Sequence, residues 1–250
     1  MKKIVIFLGV ILFGLILFSN FDFFQNDLKL GFEAYKKGNF IKASELWEKA
    51  CNSEKQAQAC TNLGALYEYG KGVKQDYFKA NDLYKKACDG GIALSCFDLG
   101  VSYYNGQQGL KQDNFIASEF YKKACDGGDP QGCHYLGVLY NKGEVVEQNY
   151  FKATELYEKA CGVGNIISCY NLATLYSFGQ GLKQDNFKAN EFYKKACDGR
   201  YVKGCFNLGI SYYKGEGVEQ DTQKAKELFE KACDLGEQLG CDNYAKLNTK

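Results

Sequence analysis

The segment from Gly204 to Asp234 decides the fold, and it reads GCFNLGISYYKGEGVEQDTQKAKELFEKACD. Four earlier segments align with it, and successive copies are 36 residues apart except for one extra residue near Gln107 or Gln108. The aligned copies are residues 59–89, 95–126, 132–162 and 168–198. A sequence period of this length is typical of stacked helix pairs. We therefore predict an all-α fold, an α/α solenoid (superhelix) built from such pairs.

Both halves of the repeat have the spacing of an amphipathic helix. Apolar residues recur at i, i+3, i+4, i+7 and i+8 in the second half, which places them on one helix face. In the first full copy they are Ala80, Leu83, Tyr84, Ala87 and Cys88. The first half of the next copy repeats this spacing from Cys96 to Tyr103. Between the two, Gly90 and Gly91 permit a tight reversal, because glycine tolerates the left-handed conformation found after helix ends.

The twelve cysteines form six regularly spaced pairs, which predicts structural disulfides. Local pairing is the simplest choice because the pairing unit recurs six times. The predicted bonds are Cys51–Cys60, Cys88–Cys96, Cys125–Cys133, Cys161–Cys169, Cys197–Cys205 and Cys233–Cys241. Zinc binding is disfavoured, since the chain has no C-x-x-C motif and a single histidine, His134. We expect no bound metal and no cofactor.

Residues 1–22 have the layout of a sorting signal. Lys2 and Lys3 precede an apolar run from Ile4 to Phe18, as in secretory signals. An A-x-A cleavage site is missing, so both a cleaved signal peptide and an uncleaved N-terminal anchor remain open. Either way we expect a secreted or periplasmic protein, attached to a membrane only through this segment if it is uncleaved. Residues 23–250 are predicted to form about six to seven helical pairs.

The overall charge and composition argue against nucleic-acid binding and against a disordered chain. The chain has a net charge of +1, which argues against a nucleic-acid partner because such proteins normally carry a basic excess. Charged residues make up 24% and hydrophobic residues 46%, so a folded chain is expected. We expect a monomer.

The motifs resemble Sel1-like repeats, which are relatives of the tetratricopeptide repeat. The residues that carry the resemblance are N-L-G at 62–64 and 207–209, G-x-G-V at 70–73 and 215–218, and K-A-C at 86–88. A cysteine pair in every unit, together with export, resembles the Helicobacter cysteine-rich protein family. That resemblance implies penicillin binding and slow β-lactam hydrolysis, on a fold similar to peptide-binding solenoids. It supplies no catalytic residues for this chain.

The residues themselves argue against the usual β-lactamase chemistries. A serine enzyme needs an activated serine, usually in S-x-x-K, together with S-D-N and K-T-G elements. The chain has one such string, from Ser211 to Lys214, but lacks the other two elements, and position 211 recurs as a packing position. His134 replaces an aromatic residue, since the equivalent positions hold Phe97 and Phe206. We interpret both as structural and leave the catalytic residues unassigned.

A ligand is expected on the first helix of each pair, which lines the concave surface of superhelical stacks. Asn62 lies about 200° from Cys60 around a helix and therefore points away from the disulfide. Its equivalents complete the candidate binding row, which is Asn62, Asp98, Tyr135, Asn171 and Asn207. Asparagine can both donate to and accept from a peptide backbone. The alternative is that these side chains bond neighbouring helices. The candidate partners are a β-lactam or muropeptide-like small molecule, and an extended peptide or protein.

Overall fold

The computed structural model describes residues 27–52, 56–107, 109–144 and 147–249. Every regular element within these residues is an α-helix, which confirms the predicted all-α class. The predicted sorting signal, residues 1–22, lies outside them. None of the described helices is long and apolar enough to cross a bilayer.

The chain divides after Gly127 into two compact units, of which the first contains helices α1 to α6. Residues 27–36 form α1. The other helices of this unit are α2 (Phe40–Cys51), α3 (Ala57–Tyr69), α4 (Tyr77–Asp89), α5 (Ala93–Asn105) and α6 (Asn114–Asp126). From α2 onward each helix packs against the next one in the chain, as expected for stacked pairs.

The second unit has the same organisation. Its helices are α7 (Pro130–Lys142), α8 (Tyr150–Gly162), α9 (Ile166–Phe178), α10 (Asn186–Asp198), α11 (Val202–Lys214), α12 (Thr222–Asp234) and α13 (Gln238–Asn248). Each again packs against its successor. In both units we call the odd-numbered helices from α3 onward first helices, and each carries a cysteine in its first turn. The even-numbered helices are second helices.

The G-x-G and Q-D motifs of the repeat end one helix and begin the next. The first helices α3 to α11 all end at a glycine with a positive φ, for example +64° at Gly70 and +74° at Gly215. A side chain is disfavoured in this left-handed conformation, which explains the recurring glycine. The second helices from α4 to α12 begin after Asp or Asn, whose carboxylate or amide oxygen accepts the N–H three residues later, as Asp76 does from Lys79.

Disulfide bonds join the end of each second helix to the start of the following first helix within each unit. The bonds are Cys51–Cys60, Cys88–Cys96, Cys161–Cys169, Cys197–Cys205 and Cys233–Cys241. The linked Cα atoms are 4.4 to 4.8 Å apart. Cys125 and Cys133 are also in disulfide linkage, and no described cysteine is free. The interpretation of the cysteines as structural therefore agrees with the fold.

In most pairs the core is an aromatic ring packed against a glycine, and in one pair Ala173 takes the place of the glycine against Tyr193. A Cβ placed on Gly64 would lie 2.9 Å from the ring of Tyr84, and one on Gly209 would lie 2.8 Å from the ring of Phe229. A distance below 3.0 Å would force the ring to shift, so these glycines let the rings pack as they do. Tyr84 is 5% exposed and Phe229 is 2% exposed. The apolar stripe of the second helix thus faces the first helix, as its periodicity predicts.

Candidate functional site

The predicted binding row occupies one position on successive first helices. Its members lie on α3, α5, α7, α9 and α11, in the order Asn62, Asp98, Tyr135, Asn171 and Asn207. Tyr135 is 37% exposed, and the others are partly buried. Asn243 holds the same position on α13 and is a sixth member of this row. The common position, two residues after the second cysteine, is therefore as the sequence predicts, whereas ligand binding by the row stays a prediction.

A buried tyrosine hydroxyl meets the row on the second unit. Tyr193 on α10 is 4% exposed, and its hydroxyl lies close to the polar side chains of Thr174, Ser177 and Asn207. Burial raises the pKa of the Tyr193 phenol, and these three polar side chains offset part of the increase. Asn207 therefore has a neighbouring polar group within the protein. This agrees with the alternative that the row side chains contact neighbouring helices.

The same arrangement recurs with different partners. The hydroxyl of Tyr157 on α8 lies close to Asn171, and burial raises the pKa of this hydroxyl. In the first unit Tyr84 donates to Glu68 Oε2 at 2.6 Å. Burial raises the pKa of Tyr84, and the negative charges of Glu68 and then Asp98 raise it further. Row residues on both units thus lie at the hydroxyl ends of buried tyrosines.

The second helix that precedes Asn62 carries a different aromatic residue. The second-helix position before it holds Trp47, whose Nε1 donates to the carbonyl of Leu28 at 3.2 Å. The Oδ1 of Asn62 accepts from Gln58 Nε2 at 3.3 Å. Its Nδ2 is buried and has no hydrogen-bond partner among residues 27–52, 56–107, 109–144 and 147–249. Asn62 is thus not held by a tyrosine hydroxyl.

His134 is buried in the packing between repeats. The residue is 8% exposed, and its Nδ1 is 2.8 Å from Ser168 Oγ, which is itself fully buried. Its ring packs edge-on against Tyr135. In the first unit Thr61 Oγ1 and Ser95 Oγ make the equivalent contact at 2.7 Å. This position therefore joins neighbouring first helices, and the imidazole has the place of a packing residue. Burial lowers the pKa of His134 below its usual value.

The S-x-x-K string has no catalytic geometry. Ser211 is 8% exposed, and its hydroxyl donates to the carbonyl of Asn207 at 3.2 Å. Lys214 Nζ lies 3.5 Å from Glu216 on the surface rather than beside the serine hydroxyl. Ser102 makes the same helix-internal bond to Asp98 in the first unit. Nor does the described chain contain a cluster of three or more His, Cys, Asp or Glu side chains suited to a metal ion.

Sequence reasoning missed a set of exposed phenylalanines. Four second helices carry this residue at their second position, where the side chain is 62 to 68% exposed: Phe78, Phe115, Phe151 and Phe187. We call these the phenylalanine set. Phe78 lies two residues, or about 200°, from Ala80 on the buried stripe, so it points away from the core. The sequence does contain a sign of this set, because a large apolar residue recurs in the repeat outside the predicted apolar stripe.

An open cleft of about 790 Å³ in the second unit is lined by one member of the phenylalanine set, Phe187. Phe187, Tyr176 and Leu182 supply apolar surface, while Lys183 and Lys188 supply positive charge. Asp185 also lines the cleft, but its carboxylate already accepts the backbone N–H of Lys188 at 3.0 Å. The cleft therefore suits a partner that carries both apolar and acidic side chains.

The model of the Sel1 repeat matches six segments of the chain, namely residues 28–54, 57–92, 93–129, 130–165, 166–201 and 202–237. The structure is similar to a protective antigen of uropathogenic Escherichia coli, with a TM-score of 0.78 and 30% identity. That match covers 87% of this chain and 47% of the antigen. A Sel1 repeat protein of Oxalobacter formigenes has a TM-score of 0.69 and 26% identity, covering 85% and 86% of the two chains.

Relatives with curated names come from Helicobacter pylori. The protein HcpA, named a β-lactamase, is 47% identical over 49 residues, which is 20% of this chain and 19% of HcpA. The protein HcpE is 45% identical over 49 residues, which is 20% of this chain and 14% of HcpE. The matches span less than a fifth of these relatives. They confirm the resemblance to the Helicobacter cysteine-rich proteins that the cysteine pairs predict.

Tyr193 and Asn207 form a pair whose coupling can be measured. Replacing Asn207→Ala leaves the buried hydroxyl with fewer partners and is expected to lower the free energy of unfolding by about 1 kcal/mol. In a double-mutant cycle with Tyr193→Phe, the two losses are expected to overlap by about 0.5 kcal/mol or more. Urea unfolding measures both. Asn243→Ala is the matched control, because its neighbour is Phe229, and a smaller loss is expected. Strictly additive losses would contradict the pairing.

His134 predicts a pH dependence of stability. Its folded pKa is lowered, so between the unfolded value of about 6.5 and the folded value only the unfolded chain takes up the proton. The free energy of unfolding is therefore expected to fall as the pH drops below about 6.5. His134→Phe, which copies Phe97 and Phe206, removes this dependence even if it changes the stability at neutral pH. Urea titrations at neutral and mildly acidic pH test this, and an unchanged slope in the variant would contradict it.

Proposed function

Because the chain belongs to the Sel1 repeat family, we propose that it is an exported, non-enzymatic scaffold that binds a protein or peptide partner. The observation that carries the proposal is the phenylalanine set, which exposes one large aromatic side chain at the same position of four repeats. Isolated apolar residues are normal on a protein surface, but a recurring aromatic set marks an interaction surface. Its disulfide-rich fold supports export, since such bonds persist in oxidising compartments.

The energetics favour binding at this set. Full burial of a phenylalanine side chain contributes about 1.5 to 3 kcal/mol, and aromatic anchors dominate the energy of protein interfaces. The cleft beside Phe187 adds a concave surface and the ammonium groups of Lys183 and Lys188. A peptide that combines Leu or Phe with Glu or Asp would bury the ring and pair with the lysines. The partner class is therefore an acidic, apolar polypeptide segment.

Peptide display on the oxidised, full-length protein tests the proposal. Peptides selected on it, and remade synthetically, are expected to bind the wild type in a calorimetric titration. Phe151→Ser combined with Phe187→Ser is expected to weaken them about tenfold, because two aromatic anchors in the second unit are lost. Ile167→Ser is the matched control: this residue of the same unit is 47% exposed and outside the set.

The binding row is the competing surface in the same titration. Asn171→Ala with Asn207→Ala is expected to leave the affinity within about twofold, provided the variant keeps its disulfides and folded spectrum. A loss in this variant, with none in the phenylalanine variant, would move the site to the row of the first helices. Full affinity in both would contradict both surfaces.

A second candidate, slow β-lactam hydrolysis, is supported by the relationship to HcpA. The side chains argue for a negative result, since the hydroxyl of Ser211 is engaged by a backbone carbonyl and His134 is buried. We expect the purified protein not to turn over a chromogenic cephalosporin faster than an identically purified His134→Phe, Ser211→Ala variant. Turnover by the wild type that the variant lacks would establish an enzyme and overturn the scaffold as the sole function.

A further inference from the structure

A cavity of about 270 Å³ opens between α11, α12 and α13 in the second unit. Its walls combine apolar, amide and basic side chains. They are Ile210, Tyr213, Lys214, Phe229, Asn243, Lys246 and Leu247. The cavity does not include any member of the phenylalanine set. It belongs to a different surface from the one proposed for the protein partner, and it carries a separate inference.

The cavity lies in a repeat that departs from the others. Phe229 holds the helix position of Tyr193, but it lacks the hydroxyl that Tyr193 places among three polar side chains. The equivalents of those three side chains are Ile210, Tyr213 and Asn243, all of which line the cavity. The cavity wall of this repeat therefore lacks the phenolic hydroxyl, and Ile210 and Tyr213 replace two of the small polar side chains around it.

The walls divide into an apolar side and a polar rim. Ile210, Phe229 and Leu247 supply the apolar side, and the Phe229 ring is 2% exposed. Because Phe229 has no hydroxyl to bond it, the Asn243 amide has hydrogen-bonding capacity to offer a ligand. An apolar cavity with a few convergent polar groups is the usual composition of a small-molecule site.

Two lysines make the rim positive. Lys214 and Lys246 both line the cavity and both are exposed. The Nζ of Lys214 is 3.5 Å from Glu216, in a pair whose side chains are 55% and 51% exposed. A surface pair of this kind is weak, so an incoming anion can share the ammonium group with Glu216. An anionic group at the rim would meet Lys246 and Asn243 as well.

We propose that this cavity binds a carboxylate that carries a compact apolar group. The apolar group packs against Ile210, Phe229 and Leu247, while the carboxylate accepts hydrogen bonds from the Asn243 amide and a lysine ammonium. The volume is sufficient, because a cavity of about 150 Å³ already holds benzene. Two sources offer this chemistry: a free small acid and the C-terminal residue of a peptide.

The experiment follows backbone amide shifts of the full-length, oxidised protein by NMR. The probes are N-acetyl-phenylalanine, a tetrapeptide that ends in phenylalanine with a free carboxylate, and the same tetrapeptide amidated. We expect both acids to shift the amides around Ile210 and Leu247, and the amidated peptide to bind at least about fivefold more weakly. A stronger affinity for the peptide acid identifies a peptide terminus, and equal affinities identify a small acid.

Phe229→Tyr is the decisive variant. It restores the residue found at the equivalent positions 84, 121, 157 and 193, so the fold tolerates it, and it places a hydroxyl beside Asn243. Binding of the acids is expected to fall about tenfold or more. Phe178→Tyr makes the same chemical change at an exposed residue outside this cavity and outside the phenylalanine set, and it is expected to bind like the wild type.

Lysine variants test the charge. Lys246→Gln together with Lys214→Gln is expected to weaken the acids about fivefold and to leave the amidated peptide unaffected. Lys203→Gln, at an exposed lysine of α11 outside the cavity, is the control. The proposal is overturned if the acids do not bind at millimolar concentration, if the amidated peptide binds equally well, or if Phe229→Tyr binds like the wild type. A loss of peptide-partner binding in the phenylalanine-set variant leaves these results unchanged, so the two proposals fail separately.

Discussion

The disulfide that joins the end of one repeat to the start of the next is the constraint on which the packing within each unit depends. Cys197 and Cys205, for example, are eight residues apart, and their Cα atoms are 4.4 Å apart. Closing a loop of this size in the unfolded chain is worth about 2.5 kcal/mol in the chain-entropy model. The bond also sets where the following first helix begins. That start decides which of its residues meets the aromatic ring of the neighbouring second helix, and Gly209 is the residue that meets Phe229.

The fold was predictable because its determinants are local and recur. The spacing of the cysteines, the apolar stripe of the second helix and the aspartate before it each occur within one repeat. The reversal after each second helix was predicted only in part. Gly90, which caps α4, has an ordinary φ of −81°, whereas the next residue, Gly91, has the left-handed φ of +91°. Arg200 occupies the latter position in another repeat with a φ of +63°, so the turn geometry persists where the glycine signal is absent.

The positions of the candidate binding row were predictable from the sequence, but the contacts that its side chains make were not. Helical periodicity places Asn171 and Asn207 away from the disulfides. It does not reveal that the hydroxyls of Tyr157 and Tyr193 reach them, because a tyrosine on an apolar stripe reads only as a core residue. Yet a buried tyrosine hydroxyl normally has a hydrogen-bond partner. For the tyrosines of the apolar stripe, this rule predicts polar partners on the first helix that each one faces. The binding row includes some of these partners.

A repeat protein uses most of its recurring side chains to join one repeat to the next, so its departures from the repeat are the informative positions. Helix α12 has two such departures. Gln223 replaces the exposed phenylalanine found at positions 78, 115, 151 and 187, and Phe229 replaces the tyrosine found at positions 84, 121, 157 and 193. The first change removes an apolar anchor from the outer face of the helix. The second withdraws a hydroxyl from its inner face and leaves the Asn243 amide and two lysines around an open cavity. Helix α12 thus lacks the exposed phenylalanine that four other second helices carry. In its place, the helix lines a cavity at the position where Tyr157 and Tyr193 have a hydroxyl.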